Sequence, residues 1–193
     1  MKKSGSIVKT IIVGIIMIGL IVGFYFAISS RNNGTSKETA KSKNEDTLLR
    51  RDLERDYPLT PTAVVSYYSD LVLAYYKDGC KEATREDLIV KSRFLYDDEL
   101  LENNPEDEQL LNMDAEVKDY KKNKKQIIKY TVCKPKEVQY GDLDGEDVAL
   151  VQVSYRIREK KDLSDVKEEF FLRKDEEGHW KIVGWQRNYK KET

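Results

Sequence analysis

The residues that most resemble a chemical site are acidic and lie within one short stretch. They could bind calcium through four carboxylates: Asp142, Asp144, Glu146 and Asp147. In an EF-hand loop the glycine is the sixth residue, which would place Tyr140 where the first carboxylate is required. The pattern therefore favours an acidic hairpin turn at Asp144-Gly145 over a calcium site.

The single histidine of the chain, His179, lies in a predicted turn before Trp180. One histidine forms neither a histidine cluster for a metal nor a histidine pair for proton relay. No serine has the flanking glycines of a nucleophile elbow. The sequence predicts no catalytic residue, no metal and no cofactor.

Cys80 and Cys133 are the two cysteines of the chain. Cys80 is predicted just after the first helix of the domain, and Cys133 on the first strand. A disulfide between them would join helix to sheet and stabilise the domain by about 3–4 kcal/mol in the chain-entropy model. The alternative is two buried free thiols, and the spacing does not distinguish the two.

Four tyrosines lie on the first predicted helix: Tyr67, Tyr68, Tyr75 and Tyr76. At helical spacing two of them face the core and two flank it. A ligand pocket lined by Tyr68, Tyr75 and Tyr130 is one interpretation, since pockets form where a helix meets a curved sheet. Ordinary core packing is the other.

Three main helices are expected to position these residues. Thr60-Pro61 predicts the start of the first, which Asp78-Gly79 ends, and a short helix within Thr47–Asp56 can precede it. Thr84 and Asp87 resemble a capping box and predict a second helix that continues to the turn before Pro105. A third follows Pro105, with acidic residues in its first turn and lysines at its end.

The apolar period changes to two after Lys125, which predicts four strands. In the first strand, Ile128, Tyr130 and Val132 alternate with polar residues. The other three strands are predicted from Ala149 to Ile157, from Val166 to Arg173 and from Trp180 to Gln186. Pro135 predicts a bulge or a sheet edge. Helices followed by strands with short connections indicate an α+β fold with an antiparallel sheet.

This element order, with the segments TPTAVVSYYSDLV and GHWKIVGWQ, resembles the nuclear transport factor 2-like (SnoaL-like, cystatin-like) cone fold. The segment YPLTPTAVVSYY also resembles a family of single-pass bacterial membrane proteins that carry this domain. The resemblance covers Asp46 to about Asn188. It implies about three helices packed on a curved four-stranded antiparallel sheet that encloses a pocket.

Some members of this superfamily are isomerases or dehydratases with an acid–base pair in the pocket. No such pair can be carried over to this chain. Glu168, which is in phase with Phe170 and Leu172, is the nearest candidate. Membrane-anchored members, including components of secretion channels, act as assembly modules.

Eighteen uncharged residues, Ile11 to Ile28, precede the domain. With Ile7 and Val8 they are long enough to cross a hydrocarbon core of about 30 Å, and they exceed the ~7–15 residues of a signal-peptide core. The sequence therefore predicts an uncleaved transmembrane helix, with a cleaved signal peptide as the alternative. Three lysines before it, Lys2, Lys3 and Lys9, predict that residues 1–10 are a cytoplasmic tail and that the domain is extracytoplasmic.

Residues 29–46 are polar apart from Ala40, which predicts a flexible linker to a domain at 47–193. Within the membrane segment, Gly19 and Gly23 would allow close approach of a second helix. The alternative is that the pair has no such role, since glycine is common in membrane helices.

Lys and Arg number 34 against 35 Asp and Glu, giving a net charge of -1. This balance argues against a nucleic-acid partner. The first functional hypothesis is a non-enzymatic, membrane-anchored binding or assembly module that self-associates or binds an envelope protein. The second is an enzyme or small-molecule carrier that uses the cone pocket.

Overall fold

The computed structural model describes residues 44–187, in which five helices precede a five-stranded antiparallel sheet. The helices are α1 (Glu45–Arg50), α2 (Pro61–Tyr75), α3 (Glu82–Arg93), α4 (Asp98–Asn103) and α5 (Glu106–Lys122). The strands are β1 (Lys125–Val132), β2 (Gln139–Leu143), β3 (Glu146–Glu159), β4 (Asp162–Lys174) and β5 (Trp180–Arg187). The predicted α+β class and the antiparallel sheet are confirmed.

The predicted transmembrane segment Ile11–Ile28, the tail before it and most of the linker lie outside the described residues. Within residues 44–187, no helix combines the length and the apolar composition that a membrane span requires. The last predicted linker residues, 44–46, are the N-cap and first turn of α1.

Helix α2 is the central element of the fold, because twelve of its fifteen residues are buried. It starts as predicted: the Thr60 hydroxyl accepts a hydrogen bond from the Ala63 amide at 3.2 Å, and Pro61 occupies the first helical position. A helix that is apolar nearly all round must be covered on several sides. The sheet packs on one side of α2, and α1 and α3 pack against other sides of it.

The sheet has the order β1-β3-β4-β5, and β2 also pairs with β3. β1 pairs along Val153–Glu159, and β2 along the remaining half, Glu146–Leu150. The prediction of four strands missed β2, whose five residues include few apolar positions. Pro135 lies between β1 and β2 in a 3-10 turn, where this edge of the sheet is interrupted.

The hairpin predicted at Asp144-Gly145 is confirmed, and it joins β2 to β3. Both residues have positive φ, 55° and 91°, which is the geometry of a type I′ turn. The acidic side chains stabilise this end of the sheet: the Asp142 carboxylate accepts from the Gly145 amide at 3.0 Å, and Asp147 pairs with Lys174 at 2.8 Å.

The prediction of one long second helix is wrong, because the chain forms α3 and α4 with a break between them. The predicted capping box at Thr84 is also wrong, since α3 begins at Glu82 with Lys81 as its N-cap. In the break, the Ile182 amide donates to the Leu95 carbonyl at 2.7 Å and the Asp97 amide donates to the Ile182 carbonyl at 2.9 Å. Pairing with β5 therefore overrides the local helical preference.

Asp97 fixes this break to the sheet. Its carboxylate accepts two hydrogen bonds from the Arg173 guanidinium on β4, at 2.6 and 3.1 Å, and caps α4 by accepting from the Glu99 amide. A bidentate, mostly buried pair of this kind constrains geometry strongly.

The inward position expected for Ile128 is wrong. The register of β1 against β3 shifts between Ile127 and Lys129, and Ile128 is 38% exposed. A bulge of this type turns the neighbouring side chain to the other face. Ile127 therefore faces the interior in its place.

Candidate functional site

A cavity of about 120 Å³ lies between α2, α5 and the inner face of the sheet. Its lining is dominated by aromatic side chains: Tyr68, Tyr75, Tyr76, Tyr120, Tyr155 and Trp185. Three charged side chains also line it: Glu116 from α5, Glu168 from β4 and Arg187 from β5. The other lining residues are apolar: Val72, Met113, Ile127, Ile157 and Val166. The cavity thus combines rings, hydroxyls and charges in one small volume that is open to solvent at one end.

The structure brings together three of the four residues that the sequence suggested for a pocket. Tyr68, Tyr75 and Glu168 all line the cavity, whereas Tyr130 is not part of its lining. The Tyr130 hydroxyl instead donates to the Asp70 carboxylate at 2.7 Å and lies 3.0 Å from the Ser66 carbonyl. This contact joins β1 to the side of α2, and burial raises the pKa of Tyr130 above its usual value.

The aromatic wall is built from two sets of touching rings. Tyr76 contacts both Tyr75 and Tyr120, with ring centroids at 4.9 and 4.7 Å. Tyr68 contacts Trp185 at 5.4 Å. The first set ties the C-terminal end of α2 to α5, and the second ties α2 to β5, so the rings are held by separate elements.

Glu168 lies on β4 with the phase that the alternation predicts, directly opposite Arg187 on β5. Burial raises the pKa of its carboxyl to about 7. The Arg187 guanidinium, whose Nε lies 3.9 Å from Oε1 of Glu168, opposes this rise, and the negative charge of Glu116 adds to it. Glu168 therefore changes its charge near neutral pH.

Glu116 and Arg187 are exposed and mark the mouth of the cavity. Burial raises the pKa of Tyr76, and the negative charge of Glu116 adds to the rise. Burial also raises the pKa of Tyr68, Tyr75 and Tyr155, so these phenols are neutral at physiological pH.

Glu116 was not predicted as a site residue, although the sequence contains a signal for it. Glu116 lies on the same α5 stripe as Met113, Val117 and Tyr120, at helical spacing. A carboxylate beside an apolar stripe lies at the border between the buried and the exposed face of a helix, which is where Glu116 reaches the mouth of the cavity. Tyr155 was predicted to face inward but not as part of a pocket.

Both cysteines are free thiols in the structure, Cys80 buried and Cys133 half-buried. Burial raises the pKa of each thiol, which favours the protonated and less reactive form. Neither lines the cavity. The disulfide between them stays a prediction.

His179 lies in the turn between β4 and β5 with Asp175 and Glu177, and potential ligand atoms of the three residues lie within 4.8 Å of one another. The Asp175 carboxylate already accepts from the amides of Glu177 and His179, at 3.0 and 2.8 Å. The imidazole packs on the Tyr57 ring, with centroids 4.4 Å apart. These contacts explain the cluster as turn structure.

Comparison with known proteins gives one family. A family model described as "Domain of unknown function (DUF6715)" matches residues 1–185. The chain belongs to this family. The matched range of the DUF6715 family includes both the apolar segment Ile11–Ile28 and nearly all of the cavity lining. No curated protein and no solved structure matches the chain.

The raised pKa of Glu168 predicts a pH-dependent stability. Between pH 4.5 and about 7 the folded protein holds a proton that the unfolded chain has lost, so the free energy of unfolding falls as pH rises through this window. The loss should reach about 3 kcal/mol by pH 8. Glu168→Gln should remove this dependence, as measured by urea unfolding of the full chain in maltoside micelles at pH 5 and pH 8.

Glu169→Gln is the matched control, because Glu169 is the next residue on β4 and its carboxylate accepts from Gln152 and Gln186, away from the cavity. This variant should retain the pH dependence of the wild type. An identical pH dependence in Glu168→Gln and wild type would contradict the assignment.

Proposed function

We propose that this DUF6715 protein is a non-catalytic, small-ligand-binding module held outside the cell membrane by its N-terminal segment. The observation that carries the proposal is the cavity, and above all the charged Glu168 side chain in its wall. An aromatic pocket with a few convergent polar groups is the usual form of a small-molecule site. The wall of this cavity has that composition.

Packing alone does not explain the composition of the cavity. Burying a carboxyl among aromatic rings costs free energy, and an apolar residue at position 168 would avoid that cost. Phe170 and Leu172, the next residues in the same phase, are fully buried and apolar. Glu168, unlike these two residues, lines the cavity, and a polar residue in the lining is what a binding site would require.

The size of the cavity favours a small ligand. Its volume of about 120 Å³ lies below the roughly 300–1,000 Å³ of pockets that hold drug-sized molecules. A ligand of a few heavy atoms fits this space, or one group of a larger molecule whose remainder lies at the mouth.

The surface supports ligand binding better than assembly through the sheet. On the outer face, Val148, Leu150, Phe171 and Val183 form their own buried cluster. The large apolar residues that are exposed within residues 44–187 lie on different elements, among them Leu59, Phe94, Leu111 and Leu163. Contiguous apolar patches are typical of interaction surfaces. These exposed residues, in contrast, do not lie together on the face of any one helix or strand.

An enzyme is the second candidate, and one observation favours it. A carboxyl whose pKa is near 7, as burial makes that of Glu168, is suited to general acid–base catalysis at neutral pH. The neutral phenols around it could orient a substrate. This hypothesis requires that a bound ligand is chemically changed by the protein.

The finer structural proposal is a cone fold of the nuclear transport factor 2-like type. The α+β architecture with its antiparallel sheet is compatible with that fold. In this proposal the sheet curves around α2, and the cavity is the pocket that the superfamily encloses.

Filling the cavity should abolish ligand binding. Met113 lines the cavity from α5, and Leu111, two residues away, is 72% exposed. We expect small molecules found by a ligand-observed NMR screen of the full chain to bind wild type and Leu111→Trp, and not Met113→Trp. A screen without any ligand, or equal binding to Met113→Trp, would contradict the proposal.

The same experiment separates binding from catalysis. Ligands recovered unchanged after long incubation with stoichiometric protein support a binding module. Conversion of a ligand that is lost in Glu168→Gln would establish the enzyme instead.

The proposed topology makes a separate prediction. Protease added to intact cells should digest the folded domain and leave a short N-terminal fragment with the membrane. A domain that is degraded only after the cells are lysed would refute the extracytoplasmic assignment.

A further inference from the structure

We infer that the ligand of the cavity is a small organic cation, with an alkylammonium group seated among the tyrosine and tryptophan rings. This inference rests on the proposed binding function and names its ligand class. Three features of the cavity lining support it: the aromatic rings, the excess of carboxylates over cationic groups, and the position of Arg187, the one arginine in the lining.

The rings supply the first part of the argument. A cation is attracted to the face of an aromatic ring within about 6 Å, and the interaction strengthens when water is excluded. Five tyrosines and Trp185 line a volume of about 120 Å³. A group seated in so small a volume therefore lies close to several rings at once, which is the arrangement that recognises quaternary ammonium ions.

The charges supply the second part. Two carboxylates, Glu116 and Glu168, face one guanidinium, that of Arg187. Ionised, the lining is therefore net negative and repels anions. With a neutral ligand, the ionised Glu168 carboxylate would have only the Arg187 guanidinium, 3.9 Å away, as a counter-charge, whereas a cation would supply a second one.

Arg187 does not occupy the place of this cation. Its side chain is 49% exposed, and its Nε lies 3.9 Å from Oε1 of Glu168. A direct charge-assisted hydrogen bond is about 2.7–2.9 Å long. The guanidinium thus lies at the rim and leaves the inner side of the carboxyl facing the rings.

The groups around Glu168 give this site a pH dependence. α5 contributes Glu116 and Tyr120, β3 contributes Tyr155, and β5 contributes Arg187. α2 contributes Tyr68 and Tyr75, and its C-cap residue Tyr76 also lines the cavity. The tyrosines whose pKa burial raises stay neutral, so Glu168 is the group that titrates near pH 7. Since a cation prefers the ionised carboxylate, affinity should rise about tenfold from pH 6 to pH 8.

The experiment uses the full chain in maltoside micelles, which carry no ammonium group. Tetramethylammonium and choline are titrated with 3,3-dimethyl-1-butanol, the neutral isostere of choline, and shifts of the cavity residues are followed by NMR. We expect both cations to bind and the alcohol to bind at least tenfold more weakly. Affinity for the cations should be about tenfold higher at pH 8 than at pH 6.

Two variants of opposite sign test the charge argument. Glu168→Gln should weaken cation binding and remove its pH dependence, whereas Arg187→Gln should strengthen cation binding at pH 8 because it removes the competing positive charge. Glu169→Gln, on the other side of β4, should bind as wild type does. Arg187→Gln keeps the test valid even if Glu168→Gln folds poorly.

Alkylammonium groups occur on free metabolites and on lipid headgroups, and nanodiscs distinguish these sources. Loss of choline binding in phosphatidylcholine discs, with binding retained in phosphatidylglycerol discs, identifies the headgroup as the ligand. Binding in both identifies a free cation.

Three outcomes would overturn the inference. Equal binding of the alcohol and choline in the cavity would refute the cation while leaving the binding function intact. Weaker choline binding by Arg187→Gln would do the same, because loss of a positive charge cannot weaken the attraction of a cation to the carboxylates. Absence of binding by these probes, while other small molecules bind wild type and not Met113→Trp, would refute the ligand class alone.

Discussion

The fold depends on the burial of helix α2, which gives almost no face to water. Polar groups on such a helix require partners in the interior, because an unpaired buried group is costly. Asp70 accepts from the Tyr130 hydroxyl at 2.7 Å, and the Ser69 and Tyr155 hydroxyls lie 2.8 Å apart. These hydrogen bonds join α2 to β1 and β3, and so fix the helix against the sheet.

The cavity follows from this arrangement at the C-terminal half of α2. There the Tyr76 ring contacts the rings of Tyr75 and of Tyr120 on α5, and these three tyrosines line the cavity together with Glu168. The burial that stabilises the tyrosine rings is the same burial that raises the pKa of the carboxyl to about 7. The packing of the tyrosine rings and the raised pKa of Glu168 thus have one cause, the exclusion of water around α2.

The sequence predicted those features of the structure that depend on residues close together in the chain. The start of α2 at Thr60-Pro61 and the phase of Glu168 on β4 are properties of a few adjacent residues. The break after α3 was not predictable in this way, because the pairing partner of Leu95 and Asp97 is Ile182, far along the chain. The bulge that exposes Ile128 likewise depends on the register with β3. Glu116 was overlooked because an acidic residue on a charged helix usually faces solvent.

The central claim is that the cavity holds a carboxyl whose environment is largely dry. It is tested most directly by the pKa of Glu168 itself, measured in the full chain by NMR titration of carbon-13-labelled glutamate carboxyls. The Glu168 resonance is assigned as the one that Glu168→Gln removes. The account predicts a titration midpoint near pH 7, and a midpoint near the ordinary value of 4.5 would contradict it.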